Sequence, residues 1–325
     1  VKITNNFDIN LPLAVWLLHD EYDHQDIPNY ISATSLMKPI KQSILVSRIP
    51  MEEREADVSE YIARAHGHSI HDSIEKAWIR GKDRTMRLLG YPQEIIERVV
   101  VNPTEEQLRS RNDIIPVYLE QRAFKQVEVD GITFTVGGKF DMVADGVPFD
   151  HKASSVYSFI KGSKDEDYIL QPSIYRWLNP DKITADHGTI NFIFTDWSKM
   201  MSRTANYPQK RVESKTFPLL SVTEVDAWVK NRIQQIHRLR NAPESQIPEC
   251  NDKELWRSEP VWKYYSNPAK TDGRATKNFD NKADAHAHMA SQGKGVIKEV
   301  PGEPKACGYC PAYAACTQKD RYFAS

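Results

Sequence analysis

The chain has no apolar run approaching the ~18 residues that a membrane-spanning helix requires. Its opening residues also lack the basic-then-apolar pattern of a secretory signal. The expectation is a cytoplasmic protein with no membrane partner. No charge of one sign dominates either: 43 Lys and Arg stand against 44 Asp and Glu, for a formal net charge of −1. That excludes a global basic field. Any nucleic-acid contact falls to a local patch, for which Lys199 to Lys215 and Lys263 to Lys282 are the candidates. Such charge runs also serve as plain solvated surface. Cysteine is scarce: Cys250, Cys307, Cys310 and Cys316 are the whole complement. In a cytosolic chain, a cluster of this kind points to metal or redox chemistry rather than to disulfides.

What is present suits a soluble globular protein. The chain has 325 residues, 40% of them hydrophobic, enough for one large or two medium domains with a sizeable core. The stretch that organises it runs from Gly137 to Lys152. Asp145-Gly146 is a two-residue turn signal between short apolar runs, which predicts a β-hairpin. Counting outward pairs Ala144 with Val147, Val143 with Pro148, Met142 with Phe149 and Asp141 with Asp150. Two opposed carboxylates repel, and a divalent cation offsets that repulsion well because hard cations take carboxylate oxygens. Lys152 lies two residues past Asp150 and leaves the same face. Two carboxylates and one ammonium around one point suit metal-assisted hydrolysis. The plainer alternative is an Asp-Gly turn with solvated charges.

Around this hairpin the pattern is mixed. Ser32 or Thr34 offers an N-cap for a helix start at residues 32–36. Residues 53–80 read as the clearest helix, with Ile62, His66, Ile70, Ile74 and Trp78 at steps of four as a buried stripe. His71 and Glu75 are four apart on an adjacent stripe, where they either converge on one point or form a simple helix pair. Residues 117–121, 124–129 and 132–136 are strand-like, with a second two-residue turn at Asp130-Gly131. Glu120 reads as a surface glutamate more readily than as a further acidic ligand. Residues 163–178 predict a helix that puts Gln171 and Tyr175 on one face, with Pro172 marking a start or a kink. Residues 188–195 form an apolar run suited to a central strand, and residues 222–239 a long helix. After Asn241 the composition changes, which divides the chain into a 1–241 core and a 242–325 module. His286 and His288 fall on a small helix at residues 279–291 and read as solvent-exposed. Three cysteines within ten residues, Cys307, Cys310 and Cys316, make a strong metal signal, and tetrahedral thiolate sites hold zinc or iron–sulfur. Cys250 is the available fourth.

Taken together the pattern resembles the PD-(D/E)XK nuclease superfamily, and within it the RecB-like nucleases common in bacteriophages. His71 in Gly67-His-Ser-Ile-His71-Asp-Ser-Ile-Glu75 resembles the first motif. Gly138-Lys-Phe-Asp141 resembles the second, Asp150-His-Lys152 the (D/E)XK motif itself, and Gln171-Pro-Ser-Ile-Tyr175 the QxxxY motif of the RecB branch. The cysteine tail is similar to that of the iron–sulfur members, with one departure: those proteins place a cluster cysteine before the nuclease motifs, and here none precedes Cys250.

The resemblance implies an α/β (mixed α+β) fold: a central mixed β-sheet flanked by helices, a restriction-endonuclease-like core, and a small C-terminal metal-bound module. It implies a Mg²⁺- or Mn²⁺-dependent deoxyribonuclease, read as an exonuclease, in DNA recombination, repair or phage DNA processing. Asp141, Asp150 and His71 would hold the metal. Lys152 would act on the attacking water, and Gln171 and Tyr175 would position phosphate or brace Lys152. Cys250, Cys307, Cys310 and Cys316 would bind a [4Fe–4S] cluster, with structural Zn²⁺ as the alternative. Partners would be single- or double-stranded DNA and a helicase, recombinase or single-strand-binding protein. The competing functional class is a DNA-binding or assembly protein that keeps the fold with weak or no catalysis.

Overall fold

The computed structural model of the chain describes residues 1–20 and 25–323. It falls into two compact units. The first takes in Val1–Lys38 and Met51–Arg238, the second Pro39–Pro50 and Leu239–Ser325. The second unit therefore draws on an early segment that the composition change after Asn241 does not reveal. No helix among the described residues is long and apolar enough to cross a membrane.

The first unit is built on a mixed seven-stranded sheet. Its strands are β1 (Tyr30–Ser32), β2 (Val99–Val101), β3 (Ile115–Val129), β4 (Ile132–Ala144), β5 (Val147–Ser154), β6 (His187–Phe194) and β7 (Val212–Pro218). The order is β2-β3-β4-β5-β6-β7, with β1 parallel to the first half of β4. The β2–β3 and β5–β6 pairs are parallel and the remaining neighbours antiparallel. The segments predicted as separate strands between residues 117 and 129 are one 15-residue strand. The run at residues 188–195 forms β6, with neighbours on both sides, one place in from the β7 edge.

Helices cover both faces of the sheet, as expected. On one face lie α2 (Asp165–Leu178) and α3 (Val222–Leu239). Their Ile174, Trp177, Leu178, Val225, Val229 and Ile233 pack on Tyr118, Val136, Phe140 and Val143. Each such side chain contributes about 1.5–3 kcal/mol when fully buried. Trp177 is fully buried, and its indole N–H donates to Asp226 at 3.0 Å, tying α2 to α3. Pro172 sits inside α2, within its buried stretch, and does not open the helix.

The other face carries α1 (Ile62–Leu88), where Trp78 and Met86 pack on Val99, Val117, Leu119 and Met142. The stripe predicted from steps of four does not hold along α1: Ile62 is exposed, as is His66. The reason is geometric. At 3.6 residues per turn each step of four drifts about 40°, so Ile62 and Trp78 end about 160° apart. The segment before Ile62 is not helical in the α sense either; it is a short strand, Glu55–Asp57, followed by a 3₁₀ turn that Asp57 caps. The predicted cap at Ser32 is present, with its hydroxyl accepting from the Ser35 N–H at 3.1 Å.

In the second unit, strand Val261–Tyr265 lies between Lys277–Phe279 and Val296–Val300 in an antiparallel sheet. Helix Lys282–Gln292 follows the strand Lys277–Phe279, a shorter helix than the span predicted at residues 279–291. His286 is exposed as expected, but His288 is half-buried, its ring edge-on to Tyr264 at 4.9 Å and against Phe279 at 5.1 Å. Helix Ile40–Ser47 buries Ile40, Ile44 and Leu45 against Ile247 and Ala312, beside Cys310 and Cys316.

Candidate functional site

The site forms where β4 and β5 part. Three ladder pairs leave the Asp145-Gly146 turn in the expected register: Ala144 with Val147, Val143 with Pro148, Met142 with Phe149. The β4–β5 ladder ends there, while β5 stays laddered to β6 as far as Ser154. Asp141 and Asp150 therefore sit at the mouth of the fork, one position beyond the last ladder pair, and not in the ladder as the count from the turn predicts.

A third carboxylate arrives from the other side. The β3–β4 ladder keeps one register from Val129–Ile132 to Val117–Ala144, a count that sets Glu120 against Asp141. Glu120 has φ +50°, left-handed backbone that costs a non-glycine residue about 1–3 kcal/mol. The alternation of faces breaks at the same pair. Phe140 and Val143 both pack toward α2 and α3, as do Tyr118 and Val127, although each pair is an odd number of residues apart. Leu119 and Met142 pack toward α1. The two strands thus roll over together at Glu120 and Asp141. One ligand atom each from His71, Glu120 and Asp141 then lie within 4.8 Å of one another. The group does not include Glu75, although the sequence places it one turn from His71. Glu120 also pairs with Lys139 at 2.5 Å.

On the α2 side, Lys152 Nζ lies 2.7 Å from Asp150 Oδ2 and 3.0 Å from Oδ1. The same ammonium donates to Gln171 Oε1 at 3.5 Å, and Gln171 Nε2 donates to the Tyr175 hydroxyl at 3.0 Å. The Tyr175 ring lies over Gly138. A Cβ at that position would stand 3.0 Å from the ring and 2.8 Å from Leu178 Cδ1, so the glycine is what lets α2 approach β4. The structure therefore brings His71, Asp141, Asp150, Lys152, Gln171 and Tyr175 into one connected set, and it adds Glu120.

The sequence reading set Glu120 aside as a surface glutamate, which the structure corrects, and did not single out His151. Glu120 was legible, because Asp130-Gly131 is as good a register device as Asp145-Gly146. His151 was not. Its Nδ1 takes a 3.3 Å contact from Asn191 Nδ2, an amide whose Oδ1 accepts from Ser214 at 2.6 Å. The Nε2 of the same ring is buried and has no hydrogen-bond partner. The ring is 6.3 Å from that of His71.

The electrostatics follow from burial. Burial pushes the Asp141 carboxyl up to about 7; His71 opposes this, and the charge of Asp150 adds to it. Burial acts the same way on Asp150, but Lys152 and the hydrogen bond from Asp141 outweigh it and hold Asp150 below the usual carboxylate range. One proton is thus held between the two. Burial pulls His71 down and Asp141 overrides it, so the imidazole is raised. Burial also pulls Lys152 down, and Asp150 overrides that, so it stays an ammonium. Burial lowers His151, which is neutral at pH 7. Asp141 Oδ2 and Asp150 Oδ2 are buried with no donor aligned for a hydrogen bond, although His71 Nδ1 (3.0 Å) and Lys152 Nζ are within ion-pair distance. Buried oxygens with unspent lone pairs, beside an imidazole and a third carboxylate, fit a hard divalent cation.

The second unit carries the cysteines. Cys250, Cys307, Cys310 and Cys316 are free and half-buried. Gln318 is buried and clamps Cys250: its Oε1 accepts from the Cys250 N–H at 2.9 Å and its Nε2 donates to the Cys250 carbonyl at 2.8 Å. Burial, then the charges of Glu254, Cys316 and Cys310, push the Cys250 thiol up to about 12. That thiol stays protonated at neutral pH unless a cation stabilises its thiolate. Among the described residues no three of the four sulfurs lie within 4.8 Å of one another. Tetrahedral zinc with 2.3 Å bonds would need them about 3.8 Å apart.

No family model matches the chain, and no curated protein is similar to it. Among solved structures it is similar to the one described as SSO0001, with a TM-score of 0.42 and 16% identity over 71% of this chain and 86% of that chain. It is also similar to a phage-related exonuclease from Haemophilus somnus 129PT, with a TM-score of 0.22 and 13% identity over 62% of this chain and 96% of that chain. At these scores neither likeness carries an argument about chemistry.

Proposed function

We propose that the chain is a Mg²⁺- or Mn²⁺-dependent deoxyribonuclease of the PD-(D/E)XK superfamily, RecB-like branch, working as an exonuclease in DNA recombination, repair or phage DNA processing. The observation that carries this reading is the pair of buried oxygens on Asp141 and Asp150 that have no aligned hydrogen-bond donor, with Lys152 held against Asp150. His71, Glu120, Asp141 and Asp150 would hold the cation. When bound, the cation would acidify a water and polarise the scissile phosphate. Lys152 would orient that water and stabilise the negative charge that builds on the phosphate oxygens. Its raised pKa suits it to that work rather than to accepting a proton. Gln171 and Tyr175 would brace the ammonium from behind, in the order their hydrogen bonds already have.

Cys250, Cys307, Cys310 and Cys316 would bind a structural [4Fe–4S] cluster. Four cysteines are the usual ligand set of such a cluster. Stoichiometric iron with a visible charge-transfer band supports this; a colourless protein with one zinc refutes it.

The test is a cleavage assay on single-stranded, double-stranded and circular DNA, with Mg²⁺ and with EDTA. Asp150→Ala and Lys152→Ala should each lose at least about 100-fold in rate while keeping the native circular dichroism. A cleanly prepared Lys152→Ala protein that still cuts DNA at the parent rate would overturn the assignment.

A further inference from the structure

The basic stretch at residues 263–282 plays no part in the site described above. Residues 261–300 hold seven Lys and Arg against four Asp and Glu, in a chain whose net charge is −1. Within the three-stranded sheet Lys263 stands across from Lys298 on one side and Asn278 on the other. Tyr264 and Phe279 turn toward His288 on helix Lys282–Gln292. Strand alternation therefore puts Lys263, Lys298 and Asn278 on the opposite face.

Like charges directly opposed in a sheet are destabilising, and no ion pair among the described residues offsets this pair. Among the described residues Lys263, Arg274 and Lys298 have no ion-pair or hydrogen-bonding partner. Two nearby cations are already engaged, Lys277 over the Phe279 ring and Lys282 over the Trp262 ring. A cavity of about 300 Å³ opens beside Lys263, lined also by Arg274, Thr276, Lys277 and Asn278 and by no carboxylate.

We propose that this pocket is a second phosphate-binding site, one that grips the backbone of a single-stranded nucleic acid with residues that take no part in cutting. The inference rests on reading the chain as a DNA nuclease. Its chemistry requires a phosphodiester or a phosphate, because the free donors are all cations or small polar groups. The size of the pocket admits one nucleotide unit and not a duplex groove. A polynucleotide is favoured over a free phosphate because cations that follow a strand backbone are how sequence-neutral single-strand sites are built.

The experiment uses the full chain in EDTA and a fluorescein-labelled oligothymidylate, with anisotropy read across a salt series. Lys263→Gln/Lys298→Gln should weaken binding at least tenfold. It should also flatten the slope of log K against log salt by about 1.4, two backbone contacts at ~0.7 each. Lys298→Glu should weaken binding as much while holding or raising Tm, because it sets an acid across from Lys263. That outcome rules out loss of fold as the cause. Cleavage of a trinucleotide should be unchanged in both variants. Equal affinity and slope in parent and variants overturn the inference and leave the nuclease reading standing. Displacement of the oligonucleotide by equimolar inorganic phosphate also overturns it, in favour of a free-phosphate site. A parent chain that cuts no DNA in Mg²⁺ refutes the nuclease reading, while the binding comparison still decides the pocket.

Discussion

Between about pH 4 and 7 the Asp141–Asp150 pair holds a proton that the unfolded chain has already released, since Asp141 stands near 7 in the fold against 3.8 as a free carboxyl. The folded state then binds more protons than the unfolded one, so this group makes the metal-free protein less stable as pH rises through that window. His71, raised by Asp141, acts in the same direction. A cation must displace the proton. Calorimetry in buffers of different ionisation enthalpy should therefore find protons released on Mg²⁺ binding at about pH 6, from the carboxyl pair and from His71, with the release shrinking as pH rises; Asp141→Asn should remove the carboxyl's share. Glu120→Gln should weaken Mg²⁺ by about 10–100-fold, seen as a rightward shift in the metal dependence of cleavage. At this scale the sequence was more informative than the reading drawn from it. The two-residue turn at Asp130-Gly131 fixes Glu120 across from Asp141 as firmly as the other turn fixes Val143 across from Pro148. His151 left no such trace, because its place depends on Asn191 and Ser214 from β6 and β7.

Strand and helix signals carried different amounts of information. Both Asp-Gly turns have the positive φ values at their two central residues that a tight hairpin needs, and three of the four pairs counted from Asp145-Gly146 are observed, the ladder ending before Asp141 and Asp150. Helix α3 spans the residues predicted for it, 222–239. Helix α1 is present but presents a different face from the one predicted, because steps of four drift around the axis. The roll of β3 and β4 at Glu120 and Asp141 was not legible. It breaks the two-residue alternation on which strand reading relies, and it does so at the candidate site, where local rules are expected to give way. The close approach of α2 to β4 yields a test at this scale. Gly138→Ala should destabilise the protein by about 1–3 kcal/mol through overpacking and should lower cleavage by displacing Tyr175. Denaturant unfolding measures the first and kcat the second. Trimming the obstruction with Leu178→Ala should restore part of kcat, whatever it costs in stability.

For the molecule as a whole, the interleaved units matter more than the composition change after Asn241. Ile40, Ile44 and Leu45 belong to the early part of the chain yet find their core with Ile247 and Ala312. Lys41 is buried beside them and pairs with Glu244 at 3.0 Å. A chain cut after Asn241 should leave this helix without its core; increased binding of a hydrophobic dye and a lowered Tm relative to the full chain are the expected readouts. The same arrangement sets a timetable during synthesis. The segment Pro39–Pro50 leaves the ribosome ~200–270 residues ahead of the residues that cover it, roughly 10–50 s at ordinary elongation rates. For that interval its apolar side has no native partner, which makes it the natural place for a chaperone to hold the nascent chain. The four cysteines are complete only after residue 316 has been made, so any loading of that unit waits until then.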